Sequence, residues 1–351
     1  MVGRVTLPVP RGGGGGSVAP AAPRLSHIAA QAKVSEATVS RVLNAKAGVA
    51  HGTRQRVLAA LDVLGYERPV RLKQRSAGLV GLVTPELTNP IFPAFAQVIE
   101  QTLAGHGYTP LLCTQIPGGA TEDELVEQLV ERGVDGIVFL SGLHADLSAD
   151  PARYAALSAR GVPYVLINGY NEAVSAPFVS TDDRAAVQMA VTHLRDLGHT
   201  RVGLAVGPVR YVPSHRKREG FVEATGSPGL VQHTLFSVEG GQAAAGSLLD
   251  AGCTGVVCGS DMMALGVVRA ARERGLRVPE DVSVVGYDDS PLTPFTDPPL
   301  TTVRQPVQAM ATAAVGALLE EIRGSAVAVG RTEFVFQPEL VVRGSTGQAP
   351  Q

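Results

Sequence analysis

From residue 79 onward, short apolar runs alternate with amphipathic helical stretches, and this alternation constrains the fold more than any other feature. The strand-like runs cover residues 79–83, 109–114, 136–140, 164–168, 178–180, 202–206, 255–259 and 282–286. Helical patterns between and after them include residues 95–104, 123–132, 184–197, 262–274 and 307–322. Continuous apolar strands separated by helices predict parallel sheets covered on both faces. The pattern runs twice, over about 78–170 and 176–290, which predicts two α/β lobes with a ligand cleft between them.

Residues 24–64 follow a different pattern, with three short helical stretches in about forty residues. Ser26, Ser35 and Thr53 stand where N-terminal caps are expected. The second stretch, residues 36–44, carries one apolar stripe of Val39, Val42 and Leu43. It follows the first after a tight turn at residues 33–34, so the segment predicts a helix-turn-helix whose second helix enters the DNA major groove.

The charge distribution supports this division. The whole chain has a net charge of −2, but residues 1–77 hold twelve basic and only three acidic side chains. A basic N-terminal module on an acidic remainder is typical of a protein that binds nucleic acid through one domain only. A solvated basic surface would explain the charge alone, whereas its coincidence with the helix-turn-helix favours DNA binding.

Other sequence features exclude several classes of protein. There is no apolar run of eighteen residues and no signal peptide, so we expect a cytoplasmic location without a membrane span. The Gly- and Pro-rich residues 1–23 are expected to be disordered. Cys113, Cys253 and Cys258 lie in or beside apolar runs and are expected to be free thiols. The motifs of hydrolases, zinc proteases and dinucleotide-binding enzymes are missing, so we expect no catalytic residue, metal or cofactor. An enzyme, or a cytosolic or extracytoplasmic small-molecule-binding protein, is the alternative class.

Several motifs resemble those of the LacI/GalR family of transcriptional regulators, over essentially the whole chain after residue 24. The resemblance rests on the run Val34-Ser35-Glu36-Ala37-Thr38-Val39-Ser40-Arg41-Val42-Leu43-Asn44, and on Thr53-Arg54, Leu64-Gly65-Tyr66, Gly81-Leu82-Val83, Asn89-Pro90-Ile91-Phe92, Arg132-Gly133-Val134-Asp135-Gly136, Leu197-Gly198-His199, Arg277-Val278-Pro279-Glu280-Asp281-Val282-Ser283 and Gly286-Tyr287-Asp288. It implies an α/β fold in which an all-α helix-turn-helix headpiece precedes a two-lobed core. That core resembles periplasmic binding proteins and contains two doubly wound parallel sheets.

The resemblance also sets expected domain boundaries. They are a tail at 1–23, a headpiece at 24–67, a hinge at 68–77, a first lobe at 78–174 and 304–333, a second lobe at 175–303 and 334–345, and a tail at 346–351. The chain should then cross between lobes near 170–176, 299–304 and 334.

The sequence departs from the family pattern at two places. Lys33 stands where the family usually has glycine, and a left-handed backbone there would cost lysine on the order of 1 kcal/mol. The hinge is about three residues shorter than usual. Leu72 and Lys73 match the family's minor-groove leucine and its basic neighbour only if the gap precedes Leu72, and Leu72 could instead pack on the core.

The resemblance assigns DNA contacts mainly to the second helix, where Glu36 and Ala37 occupy the positions that carry base choice. Glutamate can accept from cytosine N4, and alanine can touch a thymine methyl group. Arg41 can bind guanine through two hydrogen bonds, or else clamp a phosphate. Ser35 can cap the helix or contact phosphate. The expected DNA-binding set is Ser35, Glu36, Ala37, Thr38, Ser40, Arg41, Asn44, Leu72 and Lys73, with Thr38, Ser40 and Asn44 positioning the helix on phosphates.

Five positions in the core match effector contacts of the family: Phe92, Asn168, Lys217, Phe236 and Asp288. The two phenylalanines can stack on a ligand ring, although Phe92 could equally pack within its lobe. Lys217 replaces the usual arginine and presents a point charge rather than a fork. Asp288 ends a strand and can accept two sugar hydroxyls, or cap the next helix, whereas Asp261 is expected only to cap a helix.

Together these features predict a homodimeric regulator of transcription, and repression is the usual output in the family. It should bind a palindromic operator in double-stranded DNA and respond to a small-molecule effector, expected to be a sugar or a sugar derivative. An extracytoplasmic binding protein would suit the core alone, but the helix-turn-helix favours the regulator.

Overall fold

The computed structural model describes residues 25–44, 46, 48–66, 77–115, 118–324 and 332–350. The chain divides into two compact units at Arg75 and Ser76. The expected disordered tail at 1–23 and nearly all of the expected hinge, including Leu72 and Lys73, lie outside the described residues.

The first unit contains the three predicted helices around a small apolar core. They are α1 (Leu25–Ala32), α2 (Glu36–Leu43) and α3 (His51–Val63). Ile28, Val39, Val42, Val57 and Leu61 are fully buried between them. The helix-turn-helix prediction is therefore confirmed.

Two of the three predicted helix caps in this unit were wrong. Ser26 lies inside α1, which begins at Leu25, and Thr53 lies inside α3. Ala50 precedes α3 and makes no side-chain capping bond. The backbone thus enters these two helices two and three residues earlier than the polar side chains suggested. Ser35 does cap α2, because its Oγ accepts a hydrogen bond from the Thr38 N–H at 3.2 Å.

Lys33 closes α1 in a left-handed conformation, with φ of 52°. The Val34 N–H donates to the Ala29 carbonyl at 3.0 Å, and the Lys33 N–H donates to the Ala30 carbonyl at 3.3 Å. These two bonds form the Schellman ending of a helix, which usually places glycine at the left-handed residue. The turn therefore keeps the usual Schellman geometry, although lysine, unlike glycine, disfavours a left-handed backbone.

The second unit contains twelve strands and eight helices in its described residues. The strands are β1 (Gly78–Thr84), β2 (Tyr108–Thr114), β3 (Gly136–Leu140), β4 (Tyr164–Ile167), β5 (Phe178–Thr181), β6 (Val202–Val206), β7 (Val231–His233), β8 (Gly255–Cys258), β9 (Ser283–Asp288), β10 (Thr301–Arg304), β11 (Glu333–Phe336) and β12 (Glu339–Val341). The helices are α4 (Ile91–Gly105), α5 (Glu122–Glu131), α6 (Ala152–Ala159), α7 (Asp183–Asp196), α8 (Val212–Thr225), α9 (Val238–Asp250), α10 (Asp261–Glu273) and α11 (Val307–Arg323).

Two six-stranded sheets organise these elements. The first has the order β11-β5-β4-β3-β1-β2 and is entirely parallel. The second has the order β12-β10-β9-β8-β6-β7, and only β12 runs antiparallel to its neighbour. The central strands are buried on both faces, which explains their continuous apolar sequence.

Helices cover both faces of each sheet. On the first sheet α4 and α11 bury one apolar cluster, while α5 and α6 bury the other. On the second sheet α9 and α10 cover one face, and α7 and α8 cover the other. This arrangement confirms the predicted fold class, an all-α headpiece plus a core of two doubly wound sheets, in which only β12 departs from the predicted parallel direction.

The lobe boundaries differ from the prediction at two crossovers. β5 was assigned to the second lobe, but Phe178 pairs with Leu166 of β4 and its ring packs against Tyr170 in the first lobe. The chain therefore crosses after Thr181 rather than near 170–176. β11 continues to Phe336 beside β5, so the last crossover follows Phe336 and not Phe334. Both errors arose because a strand beside a crossover looks the same in either lobe.

The predicted tail at 346–351 was also wrong for most of its length. The Gly347 N–H donates to Ser283 Oγ at 3.0 Å, and the Ala349 N–H donates to the Leu197 carbonyl at 2.8 Å. The C-terminal residues therefore complete the second lobe. Within the described ranges, no helix is long and apolar enough to cross a membrane.

Candidate effector cavity and DNA-reading helix

Helix α2 has one buried and one exposed face. Val39 and Val42 are fully buried in the headpiece core, whereas Glu36, Ala37 and Arg41 are exposed. The sequence pattern produces this division because the apolar residues recur at helical spacing. An exposed face with a carboxylate, a methyl group and a guanidinium has the groups needed to read base edges.

Several polar residues of the predicted DNA-binding set are engaged within the headpiece itself. Asn44 ends α2, and its side-chain amide donates to the Ser40 carbonyl at 2.8 Å. The Ser35 and Thr38 hydroxyl oxygens lie 2.9 Å apart. These bonds order the two ends of the helix, and contacts of the four side chains with phosphate stay a prediction.

The five predicted effector residues surround one cavity of about 200 Å³ between the two lobes. Phe92 and Asn168 line it from the first lobe, while Lys217, Phe236 and Asp288 line it from the second. Phe92, Asn168 and Asp288 lie where a strand ends or a helix begins at the edges that face the cleft. Phe236 lies in the loop between β7 and α9, and Lys217 lies in the first half of α8. The structure thus brings all five together, and their role as ligand contacts stays a prediction.

Lys217 lies on α8, is only 3% exposed, and forms an ion pair with Asp183. Its Nζ also lies 3.8 Å from the centre of the Tyr287 ring. The Tyr287 hydroxyl donates to Asp183 Oδ1 at 3.0 Å. The lysine is therefore held by a carboxylate and an aromatic face, two arrangements that stabilise a buried cation.

Asp288 ends β9 with φ of 113°, and its side chain is buried at the second-lobe wall of the cavity. Its Oδ1 accepts a hydrogen bond from Gln305 Nε2 at 2.7 Å. The Thr181 hydroxyl in turn donates to Gln305 Oε1 at 2.9 Å. Burial raises the pKa of Asp288 well above its ordinary value, with the neighbouring Asp261 carboxylate adding to the effect. The helix-capping alternative for Asp288 has no support, because its carboxylate bonds a glutamine side chain.

Asp261 was expected to cap α10, and this was wrong. Ser260 is the cap, with its Oγ accepting from the Met263 N–H at 3.3 Å. The buried Asp261 carboxylate accepts instead from the Ser290 N–H at 2.7 Å and the Thr302 hydroxyl at 2.6 Å. Burial raises the pKa of Asp261 to about 6.

Backbone strain marks the same cavity. Among the described residues, five non-glycine residues have positive φ, and Ser141, Asn168 and Asp288 among them line the cavity. The Asn168 side-chain amide donates to Ser141 Oγ at 3.2 Å. Such conformations persist where the surrounding structure fixes them, and they cluster at binding sites.

Aromatic side chains form the apolar part of the wall. The ring centres of Phe236 and Tyr211 are 6.3 Å apart. Phe236 lies so close to Gly207 that a Cβ atom on this glycine would come within 2.1 Å of the ring. Phe92 is partly buried against the first-lobe core while also lining the cavity. Both readings of Phe92, packing and ligand stacking, are therefore compatible with its position.

Direct side-chain and backbone contacts also join the two lobes. Arg210 pairs with Asp146 at 3.0 Å, and the Leu147 N–H donates to the Arg210 carbonyl at 2.8 Å. Arg216 on α8 makes two bonds to Glu333 on β11, at 2.6 and 2.9 Å. These contacts hold the lobes together around the cavity.

Sequence reasoning missed Asp183, Gln305 and Tyr287 as members of this site. Asp183 begins a helix directly after the first crossover, and Gln305 lies at the second. A polar residue directly after a strand was the available signal, but it carried no information about which lobe the residue faces. Within the described residues there is no cluster of side chains suited to a metal ion.

A helix-turn-helix headpiece and a two-lobed core around a mainly apolar cavity with a few polar groups define a DNA-binding transcriptional regulator with a small-molecule site. Residues 24–68 match the model of bacterial regulatory proteins of the lacI family, and residues 191–346 match a periplasmic binding protein-like domain. An uncharacterized HTH-type transcriptional regulator in the aml 5' region of Streptomyces limosus is 74% identical, with the match covering 98% of this chain and 99% of the relative. The chain therefore belongs to the LacI family of bacterial regulatory proteins.

Solved structures agree with this assignment. The transcriptional regulator CelR in complex with cellobiose is 32% identical, with a TM-score of 0.67, and the match covers 92% of this chain and all of that one. The lac repressor dimer bound to operator and the anti-inducer ONPF is 26% identical, with a TM-score of 0.66, and the match covers 93% of this chain and 99% of that one.

Proposed function

We propose that this protein is a homodimeric repressor in the cytoplasm that binds a palindromic operator through α2. A sugar or sugar derivative in the cavity between the lobes changes its operator affinity. The observation that carries the proposal is the convergence of Phe92, Asn168, Lys217, Phe236 and Asp288 on one cavity. The similar structures, one with cellobiose and one with operator, support the two ligand classes.

The cavity suits a hydroxylated ring. Phe92 and Phe236 offer apolar faces, while Asn168, Lys217 and Asp288 offer donors and acceptors. Apolar walls with a few placed polar groups are typical of specific small-molecule sites. We propose that the ligand is bound and released unchanged.

Coupling between the two sites follows from the connections between lobes. A ligand that contacts Asp288 and Asn168 touches both lobes and therefore favours one angle between them. Two recognition helices in a dimer must match half-sites about one DNA turn apart, so a change in lobe angle alters operator affinity. We propose that the hinge at 68–77, with Leu72 and Lys73, transmits this change to the DNA.

The DNA half of the proposal is tested by the Arg41→Ala variant. Duplexes selected by the wild-type chain from a random pool supply the operator, and fluorescence anisotropy measures affinity for it and for unrelated DNA. Loss of a base contact should cost about 1–3 kcal/mol on the operator and much less on unrelated DNA. Equal losses on both would reduce Arg41 to a phosphate contact.

Arg160→Ala provides a matched control. Arg160 lies at the end of α6 in the core and pairs with Glu127. Like Arg41→Ala, the Arg160→Ala substitution removes one guanidinium, so its effect on operator affinity measures the contribution of net charge alone. The variant should bind operator as the wild type does.

A further inference from the structure

The cavity wall is short of positive charge. Among the described residues that line it, Lys217 is the only cation, while Glu86, Asp183 and Asp288 are carboxylic acids. If Glu86 and Asp288 both hold protons, the wall carries no net charge; otherwise it is negative. In neither state does it present the uncompensated positive charge that an anionic ligand needs.

The charge of Lys217 is already neutralised by a neighbouring carboxylate. Its ammonium group pairs with Asp183 and lies over the Tyr287 ring at 3.8 Å. Both partners are buried, with Lys217 3% and Asp183 5% exposed, so solvent screens this pair little. A lysine in this state can still donate one hydrogen bond to a ligand oxygen, but it contributes little net attraction to a phosphate group.

Of the helices that begin at the cavity, α4 and α8 have no acidic residue in their first turn, whereas α7 and α10 are compensated by carboxylates. Asp183 begins α7, and the Asp182 carboxylate accepts from the Ala185 N–H at 3.0 Å. Ser260 and Asp261 occupy the start of α10. Because the positive ends of α7 and α10 already face carboxylates, they add little attraction for an anion.

We propose that Asp183 determines the charge selectivity of the cavity: by neutralising Lys217, it makes the site accept uncharged polyhydroxylated ligands and reject phosphorylated ones. The inference rests on the proposed effector site and specifies its ligand class. The same lysine without its carboxylate would be an anion site of the kind that binds sugar phosphates.

The experiment uses inorganic phosphate as the probe and the melting temperature of the full chain as the readout. Potassium chloride at matched ionic strength corrects for screening. Phosphate that binds the folded state raises the melting temperature, and the dependence on concentration gives a dissociation constant. Four proteins are compared: the wild type, Lys217→Gln, Asp183→Asn and the double variant.

Asp183→Asn should bind phosphate at least about tenfold more tightly than the double variant, because the unpaired lysine gains a counter-ion. Asparagine has the same shape and retains an oxygen that can accept from Tyr287, so this hydrogen bond is kept while the negative charge is lost. The wild type and Lys217→Gln should respond equally to phosphate. Sites on the basic headpiece are identical in all four proteins and cancel in each comparison.

Two outcomes would overturn the proposal. One is a stronger response of the wild type than of Lys217→Gln, which would make Lys217 an anion anchor as it stands. This comparison needs no Asp183 variant and so holds even if Asp183→Asn fails to fold. The other is a folded Asp183→Asn that responds no more than the double variant. Neither outcome affects operator binding, which is measured separately and tests the proposed function itself.

Discussion

Replacing Lys33 by glycine should stabilise the headpiece, because the residue is held in a left-handed conformation at the end of α1. Its φ is 52°, its side chain is exposed, and its neighbourhood is ordered by two backbone bonds that do not involve the side chain. A non-glycine residue in this region loses roughly 1–2 kcal/mol relative to glycine. Glycine also makes the unfolded chain more flexible, which lowers the free energy of unfolding by about 0.5–1 kcal/mol. Taking the centres of the two ranges, the net gain is about 0.5–1 kcal/mol.

Native-state hydrogen exchange in the full chain measures this gain where it arises. The amides of Val39 and Leu61 lie in the headpiece helices, and both side chains are fully buried. If they exchange only on unfolding of the headpiece, a gain of about 0.5–1 kcal/mol slows them two- to fivefold. Amides in the core sheets should exchange at unchanged rates.

Gln31→Gly is the matched control. Gln31 is exposed, like Lys33, but lies two residues earlier inside α1. Glycine there lowers helix propensity, so the same amides should exchange faster by an amount that corresponds to about 0.5 kcal/mol. If the two glycine substitutions change the exchange rates in opposite directions, the backbone conformation at each position is the cause. Unchanged or faster exchange in Lys33→Gly would refute the reasoning.

Three further predictions concern the core and the hinge. Asp288→Ala should weaken effector binding by calorimetry while leaving operator affinity without effector nearly unchanged; an unaltered titration would contradict its assignment to the cavity. Burial lowers the pKa of His144 to about 4. Between pH 6.5 and 4 this histidine is therefore protonated in the unfolded chain but neutral in the folded protein, so the free energy of unfolding falls as the pH drops. When the pH is lowered from 7 to 5, the free energy of unfolding of the core, measured with urea, should fall by about 2 kcal/mol more in the wild type than in a His144→Gln variant. Equal decreases in the two proteins would contradict this. Leu72→Ala should reduce DNA bending and operator affinity without lowering the melting temperature of the free protein if Leu72 inserts into the minor groove; a lowered melting temperature with unchanged bending would place it on the core instead.

The sequence was most informative where a local pattern determines the structure by itself. The left-handed turn at Lys33 follows from its place between two helices, and the face of α2 follows from the spacing of Val39 and Val42. The strands were recognised because burial on both sheet faces requires continuous apolar residues. These features depend only on neighbours in the chain.

Features that depend on the path of the chain between lobes were harder to predict. β5 was placed in the wrong lobe, and Gln305 and Asp183 were missed, because each lies beside a crossover. Lys217 was expected in the cavity, but its partner Asp183 is thirty-four residues away in sequence. The hydrophobic periodicity of the sequence does not indicate such a pairing, because it arises only when two helices from separate segments pack together.

The three crossovers also impose an order on how this protein can acquire its structure during synthesis. The first lobe needs α11, whose Met310, Ala314 and Leu318 are fully buried against its sheet. That helix is translated only after nearly all of the second lobe. A nascent chain that ends before residue 307 therefore exposes the part of one apolar sheet face that α11 covers beside α4, and it can recruit chaperones or aggregate there. Premature stop codons before residue 307 should consequently destabilise the first lobe, even though they spare the headpiece and most of both sheets.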